Sequence, residues 1–294
     1  MSFGIPKVTG VLPAIRSIFA DVLGDDDNPV PVLPAGLPDA VRPVAAEAVI
    51  RLIDYQGPGY AQLYVDRLKR FIGRRNLDDA VFAGIAQLMA MRMTYEDAVE
   101  MAQSKLAEYR AAGGKSPADA IHKLRLDELV SSLPEMVADP VLWALEYAGW
   151  LHLPVSMRFS AASRFSLRRL KIEASLKRWR LSSIRYAKER VWVERWLHMV
   201  DRSLTKQPAA AAEVVNTAAM VRGYGDGYTQ NLRDWNLIID SLVKPTFDGV
   251  LCCSDLASAI AEARAAVRPD PQQTSLKRAI EAIKARASAG EAGH

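Results

Sequence analysis

Pro58-Gly59-Tyr60-Ala61-Gln62-Leu63-Tyr64-Val65-Asp66-Arg67-Leu68-Lys69-Arg70-Phe71 is the stretch from which the fold class follows. Tyr60, Leu63, Tyr64, Leu68 and Phe71 recur at i, i+3, i+4, i+8 and i+11. That is one stripe of an α-helix, not the alternation of a strand. Downstream the period persists. Asp78 or Asp79 caps a helix carrying Val81, Ile85, Leu88 and Met89. Thr94-Tyr95-Glu96-Asp97 resembles a capping box, and Gly113-Gly114 ends the helix it opens. Ser116-Pro117-Ala118-Asp119 reads as another start, stopped at Pro134. Further helices are expected near Pro140–Gly149, Arg164–Trp179, Ile184–Arg202, Pro208–Arg222, Asn231–Val243, Ser254–Val267 and Thr274–Arg286. Alternating Val, Ile and Thr runs are scarce, so no sheet is expected. The expected class is all-α: an irregular array of about ten helices of ordinary length.

Upstream the pattern breaks. The first 43 residues hold 7 of the 16 prolines, which excludes regular helix or central strand over most of them. Residues 1–41 are expected to be a proline-rich arm with a short helix at Leu12–Leu23. Residues 42–250 form the helical domain, and 251–294 add C-terminal helices and a frayed polar tail. The longest uncharged stretch, Ala80–Met91, has 12 residues, against the ~20 that span a bilayer. Pro13 and Arg16 interrupt the one apolar run near the N-terminus, so a cytoplasmic protein without a membrane partner is expected.

The chain has 294 residues and a net charge of +4, with half its residues apolar. These are globular values, and a chain of this length builds a core without staples. Its two cysteines, Cys252 and Cys253, are adjacent. They supply neither a sound disulfide nor a four-thiolate cluster.

The charge is uneven. Arg158–Arg195 holds 12 basic and 3 acidic residues, interleaved with Trp179, Tyr186 and Trp192. Arg168, Arg169, Arg178 and Arg185 are its candidate anion or partner contacts. One reading is a site for nucleic acid, nucleotide phosphates or an acidic partner. The simpler one is two amphipathic helices with solvated basic faces, since no nucleic-acid motif accompanies the charge. Glu173, Glu189 and Glu194 lie among these cations and read as salt-bridge partners.

Two further strings stand out. Arg222-Gly223-Tyr224-Gly225-Asp226-Gly227 could offer backbone amides to a phosphate or carboxylate, or cap a helix. Asp54-Tyr55-Gln56-Gly57-Pro58-Gly59-Tyr60 reads as a binding loop or as a helix–helix corner with satisfied tyrosine hydroxyls. An independent enzyme would need Tyr55, Tyr60, Arg222, Tyr224 and Asp226 in one pocket. None of His122, His152, His198 and His294 has a partner at metal-ligand spacing.

Together these strings resemble a known family. Arg51-Leu52-Ile53-Asp54-Tyr55-Gln56, then Tyr60 to Leu68, is similar to the opening of a C-terminal domain in the beta-subunit family of indolepyruvate ferredoxin oxidoreductase. Arg92-Met93-Thr94-Tyr95-Glu96-Asp97 looks like its next landmark. Ile184-Arg185-Tyr186-Ala187 with Glu194-Arg195-Trp196-Leu197 matches the following one, and Arg222 to Asp226 resembles the glycine string near its end. The landmarks occur in order over about residues 42–245. Gly227 stands where the family has Thr.

The resemblance implies a component of a 2-oxoacid:ferredoxin oxidoreductase. Such an enzyme decarboxylates an arylpyruvate oxidatively, transfers the acyl group to coenzyme A and reduces ferredoxin. It implies no cofactor on this chain, with thiamine diphosphate and iron–sulfur clusters in a catalytic partner subunit. Coenzyme A or ferredoxin would meet the assembled complex. In the family an α/β domain precedes the helical one, and residues 1–41 are too short and proline-rich to supply it. The expectation is therefore a split or free-standing domain acting as an accessory subunit. The alternative is a free-standing anion or nucleic-acid binder using residues 158–195.

Overall fold

The structure, a computed structural model, describes residues 29–115 and 119–291, with backbone alone for 178 and 289–291. The helix expected at Leu12–Leu23, the start at Ser116-Pro117-Ala118 and the tail beyond Glu291 lie outside the described residues.

The fold is all-α. Helix α1 (Arg42–Tyr55) turns at Gly57, whose φ of 118° suits glycine, into α2 (Pro58–Lys69) with Pro58 in its first turn. Asp78 caps α3 (Asp79–Met93) through the Val81 amide. Helix α4 (Ala98–Ala111) opens at Asp97, whose carboxylate accepts from the Glu100 amide. The cap expected at Thr94 is thus corrected by three residues: the Thr94 hydroxyl donates back to the Ala90 carbonyl and closes α3. Positive φ at Gly113 and Gly114 ends α4 as expected.

A helix does not follow. Strand β1 (Ala120–Arg125) pairs antiparallel with β2 (Pro154–Phe159), Ala120 opposite Phe159 and Arg125 opposite Pro154. This two-stranded ribbon corrects the expectation of no sheet. Its period-2 signal is short: Val155, Met157 and Phe159 alternate with exposed Pro154, Ser156 and Arg158. Between the strands lie α5 (Leu126–Ser131) and α6 (Glu135–Tyr147).

Beyond β2 come α7 (Arg164–Ser175), a 3-10 segment (Leu176–Ser182) and the long α8 (Ile184–Lys206), the last capped by Ser183. Helix α9 (Ala211–Asn216) is flanked by 3-10 turns. Helix α10 (Gly225–Ile238) passes through a π turn (Ile239–Val243) into α11 (Lys244–Phe247). Helices α12 (Leu256–Ala265) and α13 (Thr274–Glu291) follow.

Two apolar cores result. The larger takes α1–α3 and α8–α13 around Tyr64, Trp196 and Trp235, all buried. Leu256, Ile260, Leu276 and Ile280 join it, so the C-terminal helices share the core of the preceding domain. So do Leu37 and Val41 of the proline-rich arm. The smaller core holds Met101, Leu106, Leu124, Phe159 and Leu170, from α4, the ribbon and α7. The two meet along Tyr95–Asp97 and the 3-10 segment.

Candidate functional site

Along that seam the chain buries charge. Arg180, from the 3-10 segment, is 2 % exposed and grips Asp97 with two nitrogens at 2.9 and 3.0 Å. It also donates to the Tyr55 carbonyl at 3.1 Å and to Gln56 at 3.3 Å, and its guanidinium lies 4.0 Å from the Tyr55 ring centroid. The Tyr55 hydroxyl donates to the Tyr95 carbonyl, and that of Tyr60 to the Met93 carbonyl. Burial pushes both tyrosine hydroxyls well above their ordinary pKa, so they stay protonated donors. The Gln56 amide closes onto the Lys177 carbonyl.

A second knot adjoins it. Buried Glu189 of α8 accepts a hydrogen bond from Arg92 of α3 at 2.5 Å, and its other oxygen is ion-paired with Arg185 at 3.0 Å. Arg92 also donates to the Val221 carbonyl and lies 4.7 Å from the Trp192 ring. Arg185 stacks 3.7 Å from the Tyr228 ring of α10. Three arginines (92, 180 and 185) thus share two buried carboxylates, and ring faces carry the excess charge. Nearer the surface, Arg67 and Arg70 converge on Glu194 at 2.8 and 2.7 Å. Burial pushes the Glu194 carboxyl up, but these two hydrogen bonds outweigh it and hold its pKa below the ordinary value.

The glycine string is also engaged from within. Gly223 and Gly225 have φ of 79° and 70°, and the Gly225 amide at the start of α10 donates to Glu128 of α5 at 2.7 Å. Of the two readings of this string, a helix terminus is the one its backbone takes, and a carboxylate of the same molecule accepts from its first helical amide. Tyr224 meets His122 at 2.6 Å, Asp226 pairs with Arg125 at 2.9 Å, and Arg222 folds back on the Ala219 carbonyl. Tyr224, Glu128, Arg185 and Asp97 line a crevice of about 20 Å³, room for about one water. Tyr55 and the glycine string therefore flank the same seam and connect through Arg180, Asp97 and Arg185.

The basic segment divides. Arg180 and Arg185 turn inward to carboxylates, Arg195 pairs with exposed Asp240, Arg158 with Asp119, and Arg169 with Glu173 one turn along. Arg168 is exposed on α7, and the Arg178 side chain lies outside the described residues. Of the three glutamates, Glu189 and Glu194 find decisive partners far away in sequence, on α3 and α2, which local spacing did not foretell.

A larger recess opens on the smaller core. Between the end of α1, α4 and the α7 terminus lies a groove of about 740 Å³. Arg51, Arg110, Lys171 and Lys177 line it, with Asp54, Glu100, Gln103 and Ser104. Burial, with Asp97 and Glu96 nearby, raises the Glu100 carboxyl above its ordinary pKa against the Ser104 hydrogen bond. Four cations against two carboxylates give the groove a positive charge balance. Composition singled out the α7 cations, but Arg51 and Arg110 reach the groove only through tertiary packing. Among the described residues no group of three or more His, Cys, Asp or Glu could hold a metal ion, and no helix is long and apolar enough to cross a membrane.

Fold and site define a class: an all-α protein whose most distinctive residues knit two cores through buried ion pairs, beside an open cationic groove. Residues 41–241 match a family of unknown function (DUF6537), and the chain belongs to that family. No curated protein and no solved structure matches it.

Proposed function

We propose that the chain is a cytoplasmic accessory subunit of an indolepyruvate ferredoxin oxidoreductase-like complex. Such a complex decarboxylates 2-oxo acids oxidatively with coenzyme A and ferredoxin, and thiamine diphosphate and iron–sulfur clusters belong to its catalytic partner. One observation carries the reading. The stretches behind the resemblance, at 51–68, 92–97, 184–197 and 222–226, are far apart in sequence yet meet along one seam. That interlocking supports reading the likeness as one of a whole folding unit. The groove of Arg51, Arg110, Lys171 and Lys177 suits the phosphates of coenzyme A or the acidic surface of a ferredoxin.

The test is affinity purification from the native source, with mass spectrometry of co-eluting proteins at low and moderate salt. A stoichiometric partner holding thiamine diphosphate and iron–sulfur clusters is expected. Replacing Arg51, Arg110 and Lys171 by Gln should then raise the KM for coenzyme A or ferredoxin while the complex stays assembled. A chain that elutes alone under both conditions overturns the reading. The groove would then support the second one, a free-standing anion binder, with steep salt dependence of phosphate or nucleic-acid binding.

A further inference from the structure

We infer that the chain forms a homodimer in which α6 of each copy packs against α7 of the other. Helix α6 is an anomaly. Of its 13 residues Ala138 alone is buried, although Met136, Val137, Val141, Trp143 and Tyr147 are apolar or aromatic. Trp143 is 70 % and Tyr147 87 % exposed, and their rings stack at 6.1 Å. Trp150 and Leu153 extend the apolar surface past the helix end. A contiguous patch of this kind marks an interaction surface.

The charges on α6 say what covers it. Its carboxylates are Glu135, Asp139 and Glu146, and it carries no cation. Met136, Asp139, Trp143, Glu146 and Tyr147 are spaced 3, 4, 3 and 1 apart, so one exposed face alternates apolar and acidic residues. Neither Asp139 nor Glu146 has an ion pair among the described residues. An anionic bilayer would repel this face.

The complement is on α7 of the same chain. Phe165, Arg168, Arg169 and Ile172 are spaced i, i+3, i+4 and i+7, and all four are exposed, Phe165 at 80 %. This face runs apolar, basic, basic, apolar; Arg169 is paired with Glu173 one turn along, and Arg168 lacks an ion pair among the described residues. On both helices the apolar ends, Met136 to Trp143 and Phe165 to Ile172, lie seven residues apart, about 10 Å of rise. Leu167 and Leu170 point the other way, into the smaller core, and Lys171 and Ser175 toward the groove. Aromatic and aliphatic side chains thus meet their like, and Asp139, between the apolar ends of its helix, meets the Arg168 and Arg169 pair between the apolar ends of the other. A two-fold axis makes the contact twice, which closes the assembly. A dimer formed this way requires no second protein.

The experiment is sedimentation velocity on the full chain over a concentration series, with four variants. Trp143→Ser with Tyr147→Ser removes the apolar anchors. Asp139→Lys with Glu146→Lys reverses the acidic face, Arg168→Glu with Arg169→Glu reverses the basic one, and the fourth variant combines both reversals. All substituted side chains are exposed, and far-ultraviolet circular dichroism checks that each variant stays folded. The native chain is expected to dimerise. The serine pair and each single-face reversal should raise the dimer Kd at least tenfold, and the combined reversal should recover most of that loss. A native chain that stays monomeric to its solubility limit overturns the inference. So does a dimer that the reversals leave unchanged, or one that the combination fails to restore.

Discussion

Arg180 ties buried Asp97 to the Tyr55 corner, so its loss should be costly. Arg180→Met keeps much of the stem and deletes the guanidinium. Asp97 stays buried, at 7 % exposure, with the Glu100 amide as its remaining donor in place of three. The Tyr55 carbonyl loses its 3.1 Å donor and the Tyr55 ring its cation. Two hydrogen bonds to a charged group contribute about 1.5–3 kcal/mol each, and removing one partner of a buried pair costs about 3–5 kcal/mol. These estimates overlap, so the destabilisation should fall at about 3–5 kcal/mol, a large share of the ~5–15 kcal/mol that holds a typical domain. Urea unfolding followed by tryptophan fluorescence measures it. Asp97→Asn keeps an oxygen for the helix cap but loses the charge, and the double variant should cost clearly less than the sum of the singles. Amide exchange in α4 and the ribbon should quicken first, because Arg180 joins the smaller core to the larger. A cost below about 1 kcal/mol, with strict additivity, would refute the claim that this pair ties the cores together.

Other outcomes follow from neighbouring features. Gly225→Ala should destabilise by about 1 kcal/mol or more, since its φ of 70° is left-handed, although a Cβ there would meet no clash; Gly227→Ala, inside α10 with open space around it, should stabilise by about 0.5–1 kcal/mol. Thermal denaturation separates the two. Because burial raises the Glu100 pKa in the fold, the folded state binds more protons there and stability falls as pH rises through the carboxylate range. Glu100→Gln should flatten that fall and leave the chain more stable at neutral pH, read from urea midpoints across pH. Glu194 has the opposite sign: its folded pKa is depressed, so its contribution is present above the unfolded carboxylate pKa and lost as pH falls through the folded one. Glu194→Gln should remove part of the acid-side loss, and an unchanged acid limb would show that Arg67 and Arg70 do not act through it. Trp196→Ala, at the centre of the larger core, should cost about 3–5 kcal/mol by chemical denaturation.

Much of the fold was legible because helices advertise themselves locally. The Tyr60–Leu68 part of the stripe, a cap at one of Asp78 and Asp79 and the Gly113-Gly114 stop each involve residues within a few positions of one another; all three appear, with Asp78 as the cap and Phe71 just past the helix end. The corner at Gly57-Pro58 was legible for the same reason, with both tyrosine hydroxyls satisfied as its plainer reading required. The ribbon was not, because β1 and β2 are six residues each and their partners lie across an intervening pair of helices. Strand pairing is a non-local choice, and six residues of alternation compete poorly with helical signals on either side.

The site divides in the same way. Sequence alone established that Tyr55, Tyr60, Arg185 and the Arg222–Asp226 string were unusual, and that the excess positive charge lay in Arg158–Arg195. Only tertiary structure decided what each does. Arg92 meets Glu189 across 97 positions and Arg180 meets Asp97 across 83, and nothing in either neighbourhood names the other. It turned the Gly225 amide onto Glu128, and gathered Arg51, Arg110, Lys171 and Lys177 around one groove. Charge in a sequence is a sum, whereas a binding surface is an arrangement. The arrangement is set by which cations the fold buries against carboxylates and which it leaves facing water.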